Sequence, residues 1–202
     1  MSRINVLSGQ VYGKVDWVTA DGREFGMFLR SSDREATRCV LHGPEVERML
    51  ANGIVQKGMM VTAYGEFSAR CQKRNDDGTW MAEVLCNPSR VVAETGRDAR
   101  LRGAIYANLK AVAMHWDAET LQLKTYFNPE PGVRTDRLTC SIHMRSWLGG
   151  MSAEGKERFK ATMRVGREFT VSALVETTTY RTRDGEQVAS LLLLPTDFRL
   201  QG

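Results

Sequence analysis

The chain has 202 residues, 42% hydrophobic and 26% charged, with a net charge of +4 and a pI near 9.0. That length holds one large or two small domains with buried cores. No apolar run approaches the roughly 18 residues of a membrane span, and "MSRINVLSGQ" lacks the apolar core of a secretory signal, so no membrane partner and a cytoplasmic location are expected.

The elements are taken in chain order. "NVLSGQVYGKV" alternates as a half-buried strand does, with Leu7, Gly9 and Val11 on one face and Ser8, Gln10 and Tyr12 on the other. Trp17 follows in "VDWVTADGREF", before a turn, where an exposed ring is available for stacking. "REFGMFLRS" is a second strand, with Phe28 read as core and Arg30 at its end. "EATRCVLHG" is a third and carries Arg38. "GPEVERMLANGI" is a short helix, with Pro44 in its first turn and an apolar stripe of Val46, Met49, Leu50 and Ile54. "GMMVTAYGEF" is the fourth strand and "GTWMAEVLC" the fifth. The hairpin between them carries Arg70, Lys73, Arg74 and Trp80.

After "AETGRDAR" the pattern starts again. "SGQVYGKV" matches "RGAIYANL", pairing Gly9 with Gly103 and Tyr12 with Tyr106. "RCVLHG" matches "TCSIHM", "KGMMVTAYG" matches "VGREFTVSA", and "DGTWMAEVLCNPSRV" matches "DGEQVASLLLLPTDF" with Pro88 on Pro195. Four matches in one order predict two copies of one domain, residues 1–95 and 100–202. The short polar linker between them predicts that they pack together. In the second copy "AETLQLKTYFN" and "DRLTCSIHMRS" are strands carrying Lys124, Tyr126 and Arg137. "SAEGKERFKATM" is the helix. "REFTVSALVETTTY" and "EQVASLLLLP" close the unit around Tyr180, Arg181 and Arg183.

Five strands with a helix between the third and fourth is the order of the OB-fold. The expected class is therefore all-β with short helices, built as two tandem OB-fold five-stranded barrels. A glycine in the first strand suits the bend of such a barrel.

On "NVLSGQV", "KGMMVTAYGEF" and "ARCQKRNDDGTWMAEV", the first copy resembles the bacterial single-stranded DNA-binding protein (SSB) family. The resemblance covers about 85 residues; the second copy joins it through the internal repeat. It implies sequence-non-specific binding and protection of single-stranded DNA in replication, recombination or mobile-element maintenance. The family carries a long acidic-tipped tail. This chain stops at "PTDFRLQG", so a tail-less tandem variant is expected, without partners recruited that way. Four OB-folds usually assemble in the family, so two double chains imply a homodimer. OB-folds host many functions, and two alternatives stay open: a protein-interaction or assembly module, and a single-stranded RNA binder.

Binding single strands requires cations for phosphates and rings for bases. Both hairpins supply the combination: Arg70, Lys73, Arg74 and Trp80 in one, Tyr180, Arg181 and Arg183 in the other. Tyr12 and Tyr106 point outward, for base stacking or for packing between protomers. Tyr126 borders "FNPEPG" and reads as exposed, whereas Trp116 and Trp147 read as packing residues. Arg30, Arg38, Lys124 and Arg137 are either phosphate contacts or plain surface charges. Residues 1–96 hold 12 basic and 12 acidic side chains, and residues 97–202 hold 16 and 12, so the second half is expected to attract polyanions more strongly. Cys39, Cys71, Cys86 and Cys140 lack metal-ligand spacing and read as free thiols. His42 and His143 stand without a constellation, and no nucleophile elbow or phosphate loop appears. No enzyme activity, cofactor, metal or small-molecule substrate is expected.

Overall fold

The computed structural model describes residues 5–29, 36–73, 78–94, 103–127, 138–182 and 184–201. The first copy runs β1 (Leu7–Lys14), β2 (Trp17–Val18), β3 (Phe25–Leu29), β4 (Thr37–Leu41), α1 (Pro44–Ala51), β5 (Met60–Lys73) and β6 (Trp80–Glu94). The second runs β7 (Ala104–Val112), β8 (His115–Asp117), β9 (Gln122–Phe127), β10 (Leu138–His143), α2 (Arg145–Gly149), α3 (Ala153–Thr162), β11 (Glu168–Arg181) and β12 (Gln187–Leu200). Apart from the short β2, β8 and α2, this is the predicted order.

The predicted pair of five-stranded barrels is not what forms. All twelve strands join one sheet in the order β2-β3-β4-β6-β5-β1-β7-β11-β12-β10-β9-β8. It is antiparallel except where β4 meets β6 and β10 meets β12. The reason lies in the edges of β1. A strand has two, and β1 gives one to β5 and, over Leu7–Tyr12, the other to β7. Only past Lys14 does the chain hydrogen-bond to the backbone of its own β3, where the Asp16 N–H donates to the Gly26 carbonyl at 2.9 Å.

The sheet order reads the same from both ends, so the copies are related by an approximate twofold. Val11 and Ile105, equivalent in the repeat, are each other's cross-strand partners, which puts the axis between them. The repeated Gly-x-x-Tyr belongs to this seam. A Cβ on Gly9 would lie 2.0 Å from the Tyr106 carbonyl oxygen, and one on Gly103 would lie 2.8 Å from that of Tyr12. Gly9 therefore permits the close approach of β7, rather than a barrel bend.

The repeated prolines mark a second shared feature. On β6, Ser89 bulges between Pro88 and Arg90, and its Oγ donates to the Tyr64 carbonyl at 3.3 Å. On β12, Thr196 bulges between Pro195 and Asp197, and its Oγ1 donates to the Ser172 carbonyl at 3.0 Å. A proline lacks the N–H that a regular ladder needs, so a bulge accommodates it.

A continuous hydrophobic core underlies the sheet. Helix α1 contributes Val46 and Met49, with Leu50 half-buried; Ile54 falls beyond the helix and is exposed. Helix α3 begins at Ser152, whose Oγ accepts from the Gly155 N–H, and buries one ring, Phe159. Phe159 meets Trp116, Trp147 and Phe198 at ring distances of 5.5–5.8 Å. This cluster is the packing role expected of Trp116 and Trp147. No described helix is long and apolar enough to cross a membrane.

Candidate functional site

The solvent-facing side of the first copy carries a row of four residues in register across four strands. Phe28 on β3 faces Arg38 on β4, Arg38 faces Glu83 on β6, and Glu83 faces Arg70 on β5. Glu83 is fully buried. Its two carboxylate oxygens lie 2.7 Å from Arg38 Nε and 2.7 Å from Arg70 Nε. Arg70 also reaches Glu24 at 3.7 Å. A buried carboxylate is tolerated only when charge-assisted partners replace its water; Arg70 Nε donates to Glu83 Oε2, and Arg38 adds a close ion pair at the other oxygen without hydrogen-bond geometry.

Trp17 packs into this row from the side. Gly26 leaves room for its ring, since a Cβ there would lie 2.0 Å from it. The Arg38 guanidinium sits 4.7 Å above that ring, a cation–π contact. Trp17 is thus half-buried and already stacked, not a free platform.

Phe28 points the other way from its strand neighbours. Phe25, Met27 and Leu29 are buried, and Phe28 is 51% exposed, so its reading as core is overturned. The alternation of the strand carried that signal. Trp80 is 47% exposed, opposite Lys73 at the start of the hairpin. Phe28, Arg38 and Trp80 line one cleft of about 690 Å³, whose far wall is Thr177–Thr179 of β11. Thr177 Oγ1 donates to the Ala82 carbonyl at 3.5 Å and ties the second copy to the first.

The second copy repeats the row with different chemistry. Tyr126, Thr139, Ser190 and Thr178 stand where Phe28, Arg38, Glu83 and Arg70 stand in the first. Thr139 Oγ1 donates to Ser190 Oγ at 3.3 Å, and the Tyr180 hydroxyl is hydrogen-bonded to Thr139 Oγ1 at 3.3 Å. An ionic triad is replaced by hydroxyls. The charge totals of the two halves point the other way.

Of the other predicted residues, Tyr12 and Tyr106 stack on each other across the seam, with ring centroids 6.3 Å apart and planes 9° from parallel. Lys73, Lys124 and Arg181 are exposed, on β5, β9 and β11. Arg30, Arg74, Arg137 and Arg183 lie outside the described residues. Cys39, Cys86 and Cys140 are buried, which raises their thiol pKa values, that of Cys86 to about 12. Cys71 is half-buried and raised by the same cause. These are poor thiolates at neutral pH. Among the described residues, no group of three or more His, Cys, Asp or Glu side chains is placed to hold a metal ion.

No family model and no curated protein matches the chain. Solved structures do. The single-stranded DNA binding protein from Thermus aquaticus is 12% identical, with a TM-score of 0.53 over 100% of this chain and 95% of that one. A deletion mutant of the Thermus aquaticus protein is 13% identical, with a TM-score of 0.54 over 100% of this chain and 97% of that one. At this identity the likeness is one of fold.

Proposed function

We propose that this chain is a non-enzymatic binder of single-stranded DNA, with residues 1–95 and 100–202 as its two units. The observation that carries the reading is the cleft between the copies. Two half-exposed rings, Phe28 and Trp80, flank the cationic Arg38 in a groove open to solvent. Rings that stack bases and cations that neutralise phosphates are what a strand of any sequence requires. The fold shared with the Thermus aquaticus protein, whose name states that it binds single-stranded DNA, supports the same reading. Lys73 and Arg70 extend the basic surface in the first copy, and Lys124, Tyr126, Tyr180 and Arg181 form its counterpart in the second. Arg30, Arg74, Arg137 and Arg183, which lie outside the described residues, are proposed as further phosphate contacts.

Titration with a dT oligomer is expected to quench the intrinsic fluorescence, since the chain has four tryptophans. The affinity should fall with salt, log K changing by about −0.7 per phosphate neutralised for each unit of log salt. No quenching and no gel shift at low salt would sink the reading. A matched rU oligomer bound more tightly would move it to RNA.

A homodimer is the second part of the proposal. Tyr64 and Tyr106 are exposed on either side of Gln10, on the central strands next to Tyr12. Such a patch across the internal twofold supports packing against a second chain, with four copies of the unit in all. Light scattering at micromolar concentration should give twice the chain mass, and Tyr64→Glu with Tyr106→Glu should halve it. A monomeric mass for the unmodified chain rules this part out.

A further inference from the structure

Glu83 is a carboxylate for which the proposed binding has no direct use. It is fully buried, so a strand in the cleft does not touch it. It acts on two arginines that a strand can touch. Its Oε2 accepts from Arg70 Nε at 2.7 Å, and Glu24 approaches Arg70 at 3.7 Å. Arg38 is held differently. Its Nε lies 2.7 Å from Glu83 Oε1, yet neither atom makes a hydrogen bond. Charge alone ties that arm to the acid, and the Trp17 ring steadies it from below at 4.7 Å.

Arg38, Arg70, Glu83 and Glu24 together sum to no net charge. The side chains of Arg38 and Arg70 keep 24% and 38% of their surface in solvent, and that of Glu83 keeps none. A phosphate arriving from the cleft therefore meets guanidinium groups with an acid already set behind them. A buried charge is poorly screened by salt, so each guanidinium attracts a phosphate less than a free arginine would. Arg38 lines the cleft and has the looser tie, so it is the arm that a phosphate draws off first. Arg70 then remains as the partner that keeps Glu83 from being stranded. The second copy is built otherwise: Ser190 stands where Glu83 stands in the first, bonded to Thr139 at 3.3 Å.

We propose that Glu83 is a built-in competitor of the strand, which holds Arg38 and Arg70 partly neutralised and so lowers both the affinity of the first copy and its salt dependence. The inference rests on single-stranded DNA binding in the cleft. Glu83 is a positioning residue, because it acts through the arginines and meets no nucleotide.

The test follows a labelled dT oligomer by anisotropy with the full chain, between about 0.05 and 0.4 M salt. Each further phosphate neutralised steepens the slope of log K against log salt by about 0.7, which at about 0.05 M is roughly an eightfold gain in affinity. Glu83→Gln keeps the shape and an oxygen for Arg70 but removes the charge. It should bind about eightfold tighter at the lowest salt, with a slope steeper by about 0.7. Glu83→Ser, which installs the second copy's residue, should shift both in the same direction and guards against a folding defect in the glutamine variant. Adding Arg38→Gln to Glu83→Gln should cancel the gain. Glu154→Gln removes one carboxylate from Arg158 on α3, neither of which lines the cleft, and should leave the slope unchanged. Binding by both folded Glu83 variants that is unchanged or weaker overturns the inference and leaves strand binding intact. A gain that persists without Arg38, or that Glu154→Gln reproduces, overturns it as well, because net charge alone would then account for it. Failure of the unmodified chain and both Glu83 variants to bind at low salt overturns strand binding itself, and this inference with it.

Discussion

Replacing Phe28 and Trp80 together by alanine is expected to weaken binding of a dT tract by roughly 100-fold or more. Stacking contributes about 1–3 kcal/mol per base by alanine substitution, and two rings are lost. Both are about half exposed and line the same cleft, so their removal opens no core cavity. The melting temperature should therefore stay within a few degrees. Tyr12→Ala is the contrast. Its ring is already stacked on Tyr106, so it should affect assembly or stability more than dT affinity. Anisotropy of a labelled oligomer is the proper readout, because Trp80 is itself a fluorophore. A double variant that binds within threefold of the unmodified chain would show that the strand runs elsewhere.

The second large effect concerns stability. Arg38→Thr with Arg70→Thr leaves Glu83 buried without either partner, and stranding a buried charge costs about 3–5 kcal/mol. Adding Glu83→Ser should recover most of that loss, because Thr139, Ser190 and Thr178 already form a hydroxyl row at the equivalent positions. Urea unfolding of the double and triple variants measures the difference, which is a coupling energy between residues in contact. The triple variant should also bind DNA with a shallower salt dependence, by about 0.7 in the log–log slope for each phosphate the row contacts. If the double variant is as stable as the unmodified chain, or serine restores nothing, the triad does not hold the row together.

The repeat is legible in the sequence because its shared letters serve shared geometry. Gly9 and Gly103 lie under the opposite tyrosine carbonyls, and Pro88 and Pro195 sit at matching bulges. Closure into barrels is not legible. It depends on which neighbour takes the second edge of β1, and alternation reports faces, not edges. The hairpin residue Trp80 stands out by its company of cations, and the structure places it on the cleft. Phe28 escapes a reading by residue type, although Phe25, Met27 and Leu29 at spacing two already turn it outward. Trp17 reads as free because the small residue that receives it, Gly26, lies nine positions on and becomes its neighbour only through strand pairing. Net charge per half fails to locate the ionic row, because a sum over a segment contains nothing about register.

The seam between Val11 and Ile105 has a consequence for polarity. Two identical subunits related by a true twofold offer a strand the same surface in either direction, so they have no means of telling 5′ from 3′. Joining the copies in one chain releases that constraint, since each half accumulates substitutions by itself. Here one side carries arginines around a glutamate and the other carries hydroxyls. A directional polymer laid along this frame would meet the arginine–glutamate row and the hydroxyl row in a fixed order. A single covalent link thus turns a symmetric platform into one with a head and a tail.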